Sequence, residues 1–234
     1  MTETAAPPLH RVRFPGESAE YRDARDELLR AEMELRRQIE EVASKRRGLP
    51  LGGPVPVDYV FEQLDENGSS VDVRLSELFA PGKDTLVLYS FMYGPEMAAA
   101  CPSCTSLLDG LDGVVPHLTQ RIELAVVAKS PIARIGGHAS ARGWTRLRLL
   151  SSLENTYNRD YHAETEDGRQ IPALNVFLRD GETIRHTYST ELLYAPTEPG
   201  QDPRHVDSIW PLWALHDLIP KGRPADWDVS LSYE

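Results

Sequence analysis

Near the start of the chain, apolar residues recur at every seventh position, Tyr21, Leu28, Leu35 and Val42, with Ala24, Ala31 and Ile39 widening the seam. Charged residues fill almost all the other faces. The pattern predicts one helix over 17–48, stopped at Gly48 ahead of Pro50, with 1–16 before it disordered or extended. So narrow a seam either lies on the body of a domain or pairs with the same seam of a second copy. Three prolines and the Gly52-Gly53 pair make 49–56 a turn-rich boundary, after which the main domain, 49–220, takes shape.

Within that domain the period changes. Residues 57–62 alternate, Asn67-Gly68 is a hairpin turn signal, and 71–74 can return antiparallel. The run TLVLYSFM (85–92) is continuously apolar and rich in β-formers, as expected of a strand buried on both faces. A helix over 102–120, a second buried strand IELAVVA (122–128) and a helix over 131–142 follow. Short strand and helix candidates occupy 147–150 and 153–161. IPALNVFL (171–178), the turn Asp180-Gly181 and 183–189 form the clearest hairpin, before a closing helix over 206–219 and a polar tail, 221–234. The order predicts an α/β domain with a central mixed sheet flanked by helices.

Composition narrows the function classes. With 234 residues, one decorated domain fits better than two complete ones. A formal charge of −11 repels phosphate backbones, which argues against a nucleic-acid partner. No 18-residue apolar run and no signal-like leader is present, so the reading is a cytoplasmic protein without a membrane partner. In that compartment the two cysteines, Cys101 and Cys104, are not expected as a structural disulfide.

Cys101-Pro102-Ser103-Cys104 falls between a buried strand and a helix. If Cys101 caps the helix, Pro102 takes its first turn at no hydrogen-bond cost, and the Cys101 sulfur faces free N–H groups. Those donors and the helix dipole stabilise a thiolate, making Cys101 the attacking sulfur and Cys104 the resolving one. Inert packing and ligation of a metal or a haem iron stay open beside this redox reading. Structural zinc would need further ligands, and no second C-x-x-C or H-x3-H is present. His117, His138 and His162 are each candidates to join the two sulfurs. No cofactor is required by the redox chemistry. The aromatic residues Tyr89, Phe91 and Tyr93 read as core or as walls of a pocket near Cys101.

A C-x-x-C after the first central strand and a proline opening a later strand, Ile171-Pro172, make the chain resemble the thioredoxin superfamily. That resemblance implies a thioredoxin-like fold, a cis proline at Pro172, and a main chain at Ile171 and Pro172 that docks a thiol or peptide on the nucleophile. Together, YSFMYGPEMAAACPSC, LDGLDG, AKSPIARI, RGW, SSLENTYNRDY and FLRDGETIRHTYST resemble an uncharacterised bacterial thioredoxin-like family, a domain of unknown function, over most of the chain. The implied activity is thiol-disulfide exchange with a thiol or disulfide substrate and a cellular reductant, with a peroxide link as a variant. Against peroxide chemistry, the positions of the peroxiredoxin pattern P-x-x-x-T/S-x-x-C hold Gly94 and Ala98, leaving Arg142 or Arg146 as substitute donors. A metal- or haem-binding protein and a non-catalytic binding module are the competing classes.

Overall fold

Ser18 starts the first helix by turning its hydroxyl back on the main chain: Tyr21 N donates to Ser18 Oγ at 3.1 Å, satisfying one of the orphan donors of the helix start. The computed structural model describes residues 9–233; the expectation for 1–16 therefore lies partly outside the described residues. The chain forms two compact units divided after Pro50. In the first, α1 (Ala19–Arg47) ends on Lys45, Arg46 and Arg47, whose charge suits the negative end of the helix dipole. The pairs Arg22–Asp26 and Lys45–Glu41 lie one turn apart along it. The seam residues Tyr21, Leu28, Leu35, Ile39 and Val42 are exposed.

In the second unit, seven strands form one sheet in the order β2-β1-β5-β4-β3-β6-β7. These are β1 (Val60–Leu64), β2 (Ser70–Arg74), β3 (Thr85–Ser90), β4 (Glu123–Ala128), β5 (Arg148–Ser151), β6 (Ala173–Asp180) and β7 (Thr183–Ser189). Strands β3, β4 and β5 run parallel, β6 lies antiparallel to β3, and β1–β2 and β6–β7 are the two expected hairpins. The helices are α2 (Pro102–Leu118), α3 (Ile132–Arg142), α4 (Tyr157–Asp160) and α5 (Pro211–His216). A β–α–β crossover through α2, followed by an antiparallel hairpin added beside its first strand, is the topology of the thioredoxin-like fold. No helix among the described residues is long and apolar enough to cross a membrane.

The uninterrupted apolar runs are explained by burial on both sheet faces. Leu124, Val126 and Ala128 of β4 face one cluster with Leu107, Leu108 and Ile135 of α2 and α3. Ala125 and Val127 face the other, with Phe61, Leu75 and Tyr157. The outer edge of β7 is covered rather than open: Val55 N donates to Ile184 O and His186 N to Gly53 O, so part of the expected linker blunts an edge strand.

Two expectations at the C-terminal end need correction. The closing helix over 206–219 shrinks to a 3-10 turn at Asp207–Ile209 and the short α5, because Pro211 has no N–H to continue a helix from 206 and instead opens a new one. The expected polar tail, 221–234, packs against the domain: Val229 is buried, Arg142 Nη1 donates to Leu231 O at 2.8 Å, and Trp227 meets Trp213 edge-on.

Candidate functional site

The cysteine pair sits where β3 gives way to α2. After Ser90 the chain leaves the strand, but Phe91 N still donates to Val127 O at 2.8 Å, and Cys101 N returns to Met92 O at 3.0 Å. The segment 93–100 is thus an excursion pinned at both ends. Cys101 is the N-cap of α2, in extended conformation, and Pro102 occupies the first turn, as the sequence predicts. Thr105 anchors the cap, its N–H and Oγ1 both donating to Cys101 O at 3.0 and 2.9 Å. The Cys101 Sγ accepts from Cys104 N at 3.5 Å. Both thiols are free; Cys101 is half-buried and Cys104 buried.

The two sulfurs differ sharply in acidity. Cys101 is lowered to about 6, first by a hydrogen bond from the Cys104 thiol, then by the main-chain N–H groups of Cys104 and Ser103 and the Ser103 hydroxyl, with burial acting in the opposite direction. Cys104 is pushed well above the ordinary thiol range, first by its bond to Cys101 and then by burial. One proton therefore stays on the inner sulfur while the outer one is a thiolate near neutral pH. On the inner side, Tyr89 Oη donates to Cys104 Sγ at 3.2 Å. Burial keeps that phenol protonated.

Around the pair, the other quoted sequence segments serve as supports. Arg134, from AKSPIARI, donates to the carbonyls of Gly94 and Met97 and lies over the Tyr93 ring, 4.2 Å from its centroid. That ties the excursion to α3. Gln170 covers Gly94 so closely that a Cβ there would lie 2.9 Å from Gln170 Cγ. Gln170 is in turn held by Asn158, whose Oδ1 accepts from Ser152 Oγ at 2.7 Å. SSLENTYNRDY thus braces the approach to Pro172, while Asp109 and Asp112 from LDGLDG bind α2 to the chain after α3 through Trp144 Nε1, Arg146 N and Leu147 N.

Pro172 lines the same cleft as Cys104, but the expected cis bond is not there: no peptide among the described residues is cis. β6 begins directly after Pro172, at Ala173. Ile171 N is spent on Ala163 O at 2.8 Å. The cleft has a volume of about 1060 Å³ and meets the motif at Ser103 and Cys104, its lining shared by Met92, Tyr89 and, from the C-terminal segment, Trp210, Trp213 and Trp227.

Histidines and arginines are placed less favourably for the competing chemistries. His138 Nε2 lies 3.2 Å from Thr105 Oγ1, packed against Phe91, Tyr93 and Trp144, and burial lowers its pKa, leaving it neutral. His162 sits in a loop at a positive φ of 54°, its carbonyl accepting from Tyr194 Oη. His117 lies in the last turn of α2. Among the described residues no three His, Cys, Asp or Glu side chains gather to hold a metal, so the donor set of two sulfurs with His138 or His162 does not form. Arg142 is engaged by Asp109 and Arg146 by Asp112. The sequence reading took Tyr89 only as core or pocket wall, without its bond to Cys104, and missed Thr105 and Arg134 as parts of the site. A tyrosine inside an apolar strand carries no signal that separates a core ring from a sulfur ligand.

Known proteins resemble this chain at two levels. No curated protein matches. Among solved structures, thioredoxin peroxidase I of Plasmodium yoelii is 15% identical, covering 77% of this chain and 100% of its own, with a TM-score of 0.46. A cysteine mutant of peroxiredoxin Q from Xanthomonas campestris is 13% identical over 70% of this chain and 97% of its own, with a TM-score of 0.45. A peroxiredoxin-like protein from Aquifex aeolicus is 12% identical over 60% and 75%, with a TM-score of 0.43. The profile of one family matches residues 11–233, and the chain therefore belongs to the bacterial proteins of unknown function gathered as DUF899.

Proposed function

We propose that the protein is a thiol-disulfide oxidoreductase in which Cys101 attacks and Cys104 resolves. The observation that carries this reading is the division of acidity within one helix turn: a half-buried thiolate at the tip of α2 and a buried thiol directly behind it. The Cys101 thiolate attacks one sulfur of a substrate disulfide, which breaks and releases a thiolate; Cys104 then attacks Cys101 Sγ, releases the second thiol and leaves a Cys101–Cys104 disulfide. A cellular thiol reductant returns the pair to its starting state. Met92, Ser103 and Pro172, which share a cleft with Cys104, supply the docking surface, with Ile171 behind Pro172. A reducing compartment such as the cytoplasm is the setting in which such a cycle turns over. Self-association through α1 is a separate part of the proposal, supported by the exposed seam of Tyr21, Leu28, Leu35 and Val42.

The test is turnover of insulin or glutathione disulfide by the wild type and Cys101→Ser, with metal content and a visible spectrum of the purified protein. Turnover that vanishes in the variant supports the reading. A stoichiometric metal or a Soret band moves the cysteines to ligation, and absence of turnover from both proteins leaves a binding module. Hydrogen peroxide as oxidant in the same assay tests the peroxide-linked variant, and sedimentation of wild type against Leu28→Glu/Leu35→Glu tests the seam.

A further inference from the structure

Resolution by Cys104 poses a problem that the N-terminus of α2 does not solve. The sulfur is buried, its proton is held far more tightly than that of Cys101, and it must become anionic before it can attack. The groups acting on it are the Cys101 sulfur, the Tyr89 hydroxyl and the Met92 main chain. Once Cys101 is tied up in a mixed disulfide, its thiolate charge and its hold on the Cys104 proton are both gone. Tyr89 remains, its Oη 3.2 Å from Cys104 Sγ and its ring 1% exposed within the core.

We infer that Tyr89 is a catalytic residue of the resolving step, donating a hydrogen bond that stabilises the Cys104 thiolate as it forms. The inference rests on the thiol-disulfide reading above. In the step, the Cys104 thiol gives its proton to solvent or to the departing thiolate. The thiolate forms a bond to Cys101 Sγ, the bond between Cys101 Sγ and the substrate sulfur breaks, and the substrate leaves as a thiolate, or as a thiol where it takes up that proton. The two cysteines lose two electrons in total and the substrate disulfide gains them. Tyr89 keeps its own proton throughout; it acts as a fixed dipole aimed where negative charge develops. In Tyr89→Phe that charge keeps only the Met92 main chain as a donor. A charge-assisted hydrogen bond of this kind is worth roughly a tenfold or greater change in an equilibrium or rate.

Mixing the reduced protein with the aromatic disulfide 5,5′-dithiobis(2-nitrobenzoate) separates the two steps. Attack by Cys101 releases a first coloured thiolate, and attack by Cys104 on the mixed disulfide releases a second. The expected result is a wild-type first phase and a second phase slowed about tenfold in Tyr89→Phe. Tyr157→Phe, which removes a buried hydroxyl bonded to Asn175 in the other cluster, keeps both phases. If Tyr89→Phe does not fold, replacement of tyrosine by a ring-fluorinated tyrosine, a stronger donor of the same shape, speeds the second phase, and the gain survives in Tyr157→Phe, which lacks the hydroxyl bonded to Asn175. A second phase of unchanged rate in Tyr89→Phe, or one indifferent to fluorination, overturns the role of Tyr89. Absence of any second phase in the wild type overturns the thiol-disulfide reading instead.

Discussion

Replacing Cys104 with alanine removes the largest single cause of Cys101 acidity, the thiol proton shared with its sulfur, and leaves the main-chain donors in place. With Cys101 at about 6, roughly half the sulfur is thiolate at pH 6 and nearly all at pH 8.5, so its alkylation rate rises only about twofold across that interval. An ordinary thiol with a pKa of about 8.5 gains about 160-fold over the same range. A lost charge-assisted hydrogen bond of about 1.5–3 kcal/mol moves the midpoint up by about 1 to 2 pH units. Cys104→Ala should then gain between about 10- and 80-fold. Each protein serves as its own reference, so the lower intrinsic nucleophilicity of an acidic thiolate cancels within a profile. The assay is iodoacetamide alkylation of reduced protein followed by intact mass. A wild-type gain above about 50-fold, or a Cys104→Ala profile as flat as the wild type, refutes the account of the acidity.

For the reduced protein, the unfolded chain binds the Cys101 proton up to about pH 8.5 while the folded chain releases it near 6. Stability relative to Cys101→Ala should therefore rise with pH between those values and be lost below pH 6, visible as a widening gap in Tm; a constant gap contradicts it. Asp112→Ala removes the acceptor of Arg146 N and Leu147 N, at 2.8 and 3.0 Å, from a buried carboxylate, and should cost about 3 kcal/mol in urea unfolding, where a loss below 0.5 kcal/mol argues against it. Gly52→Ala would place a Cβ 1.7 Å from His186 O; it should detach 52–55 from the β7 edge and cost about 2 kcal/mol or more, with a wild-type Tm as the contrary result.

What the sequence made legible divides along physical lines. β3, β4 and the β6–β7 hairpin were readable because burial on both faces and the Asp180-Gly181 turn leave strong local signals. So was the cap at Cys101, since proline at the first helical position follows directly from backbone chemistry. The C-terminal end was not. Residues 206–219 have helical periodicity, yet Pro211 divides them, and the polar composition of 221–234 hides a single buried valine and a carbonyl, that of Leu231, which accepts from Arg142 far away in the sequence. Such contacts are long-range and have no period. The same holds for Tyr89, whose position in TLVLYSFM announces only burial.

The source of the acidity also explains how so negative a chain can carry a thiolate. No lysine, arginine or histidine is among the causes that lower Cys101, and the nearest histidine bonded into the cap, His138, is held neutral by burial. Arg134 and Arg142, the cations of the adjoining helix, are engaged by carbonyls of the excursion and by Asp109. The charge is instead stabilised by donors that the fold must supply in any case: the unpaired N–H groups at the start of α2 and a second sulfur one turn in. Interactions this short are barely affected by dissolved salt, whose screening acts over about 8–10 Å. The acidity of Cys101 is therefore a consequence of where the helix begins, and Thr105, Met92 and the bracing of 93–100 matter because they fix that beginning.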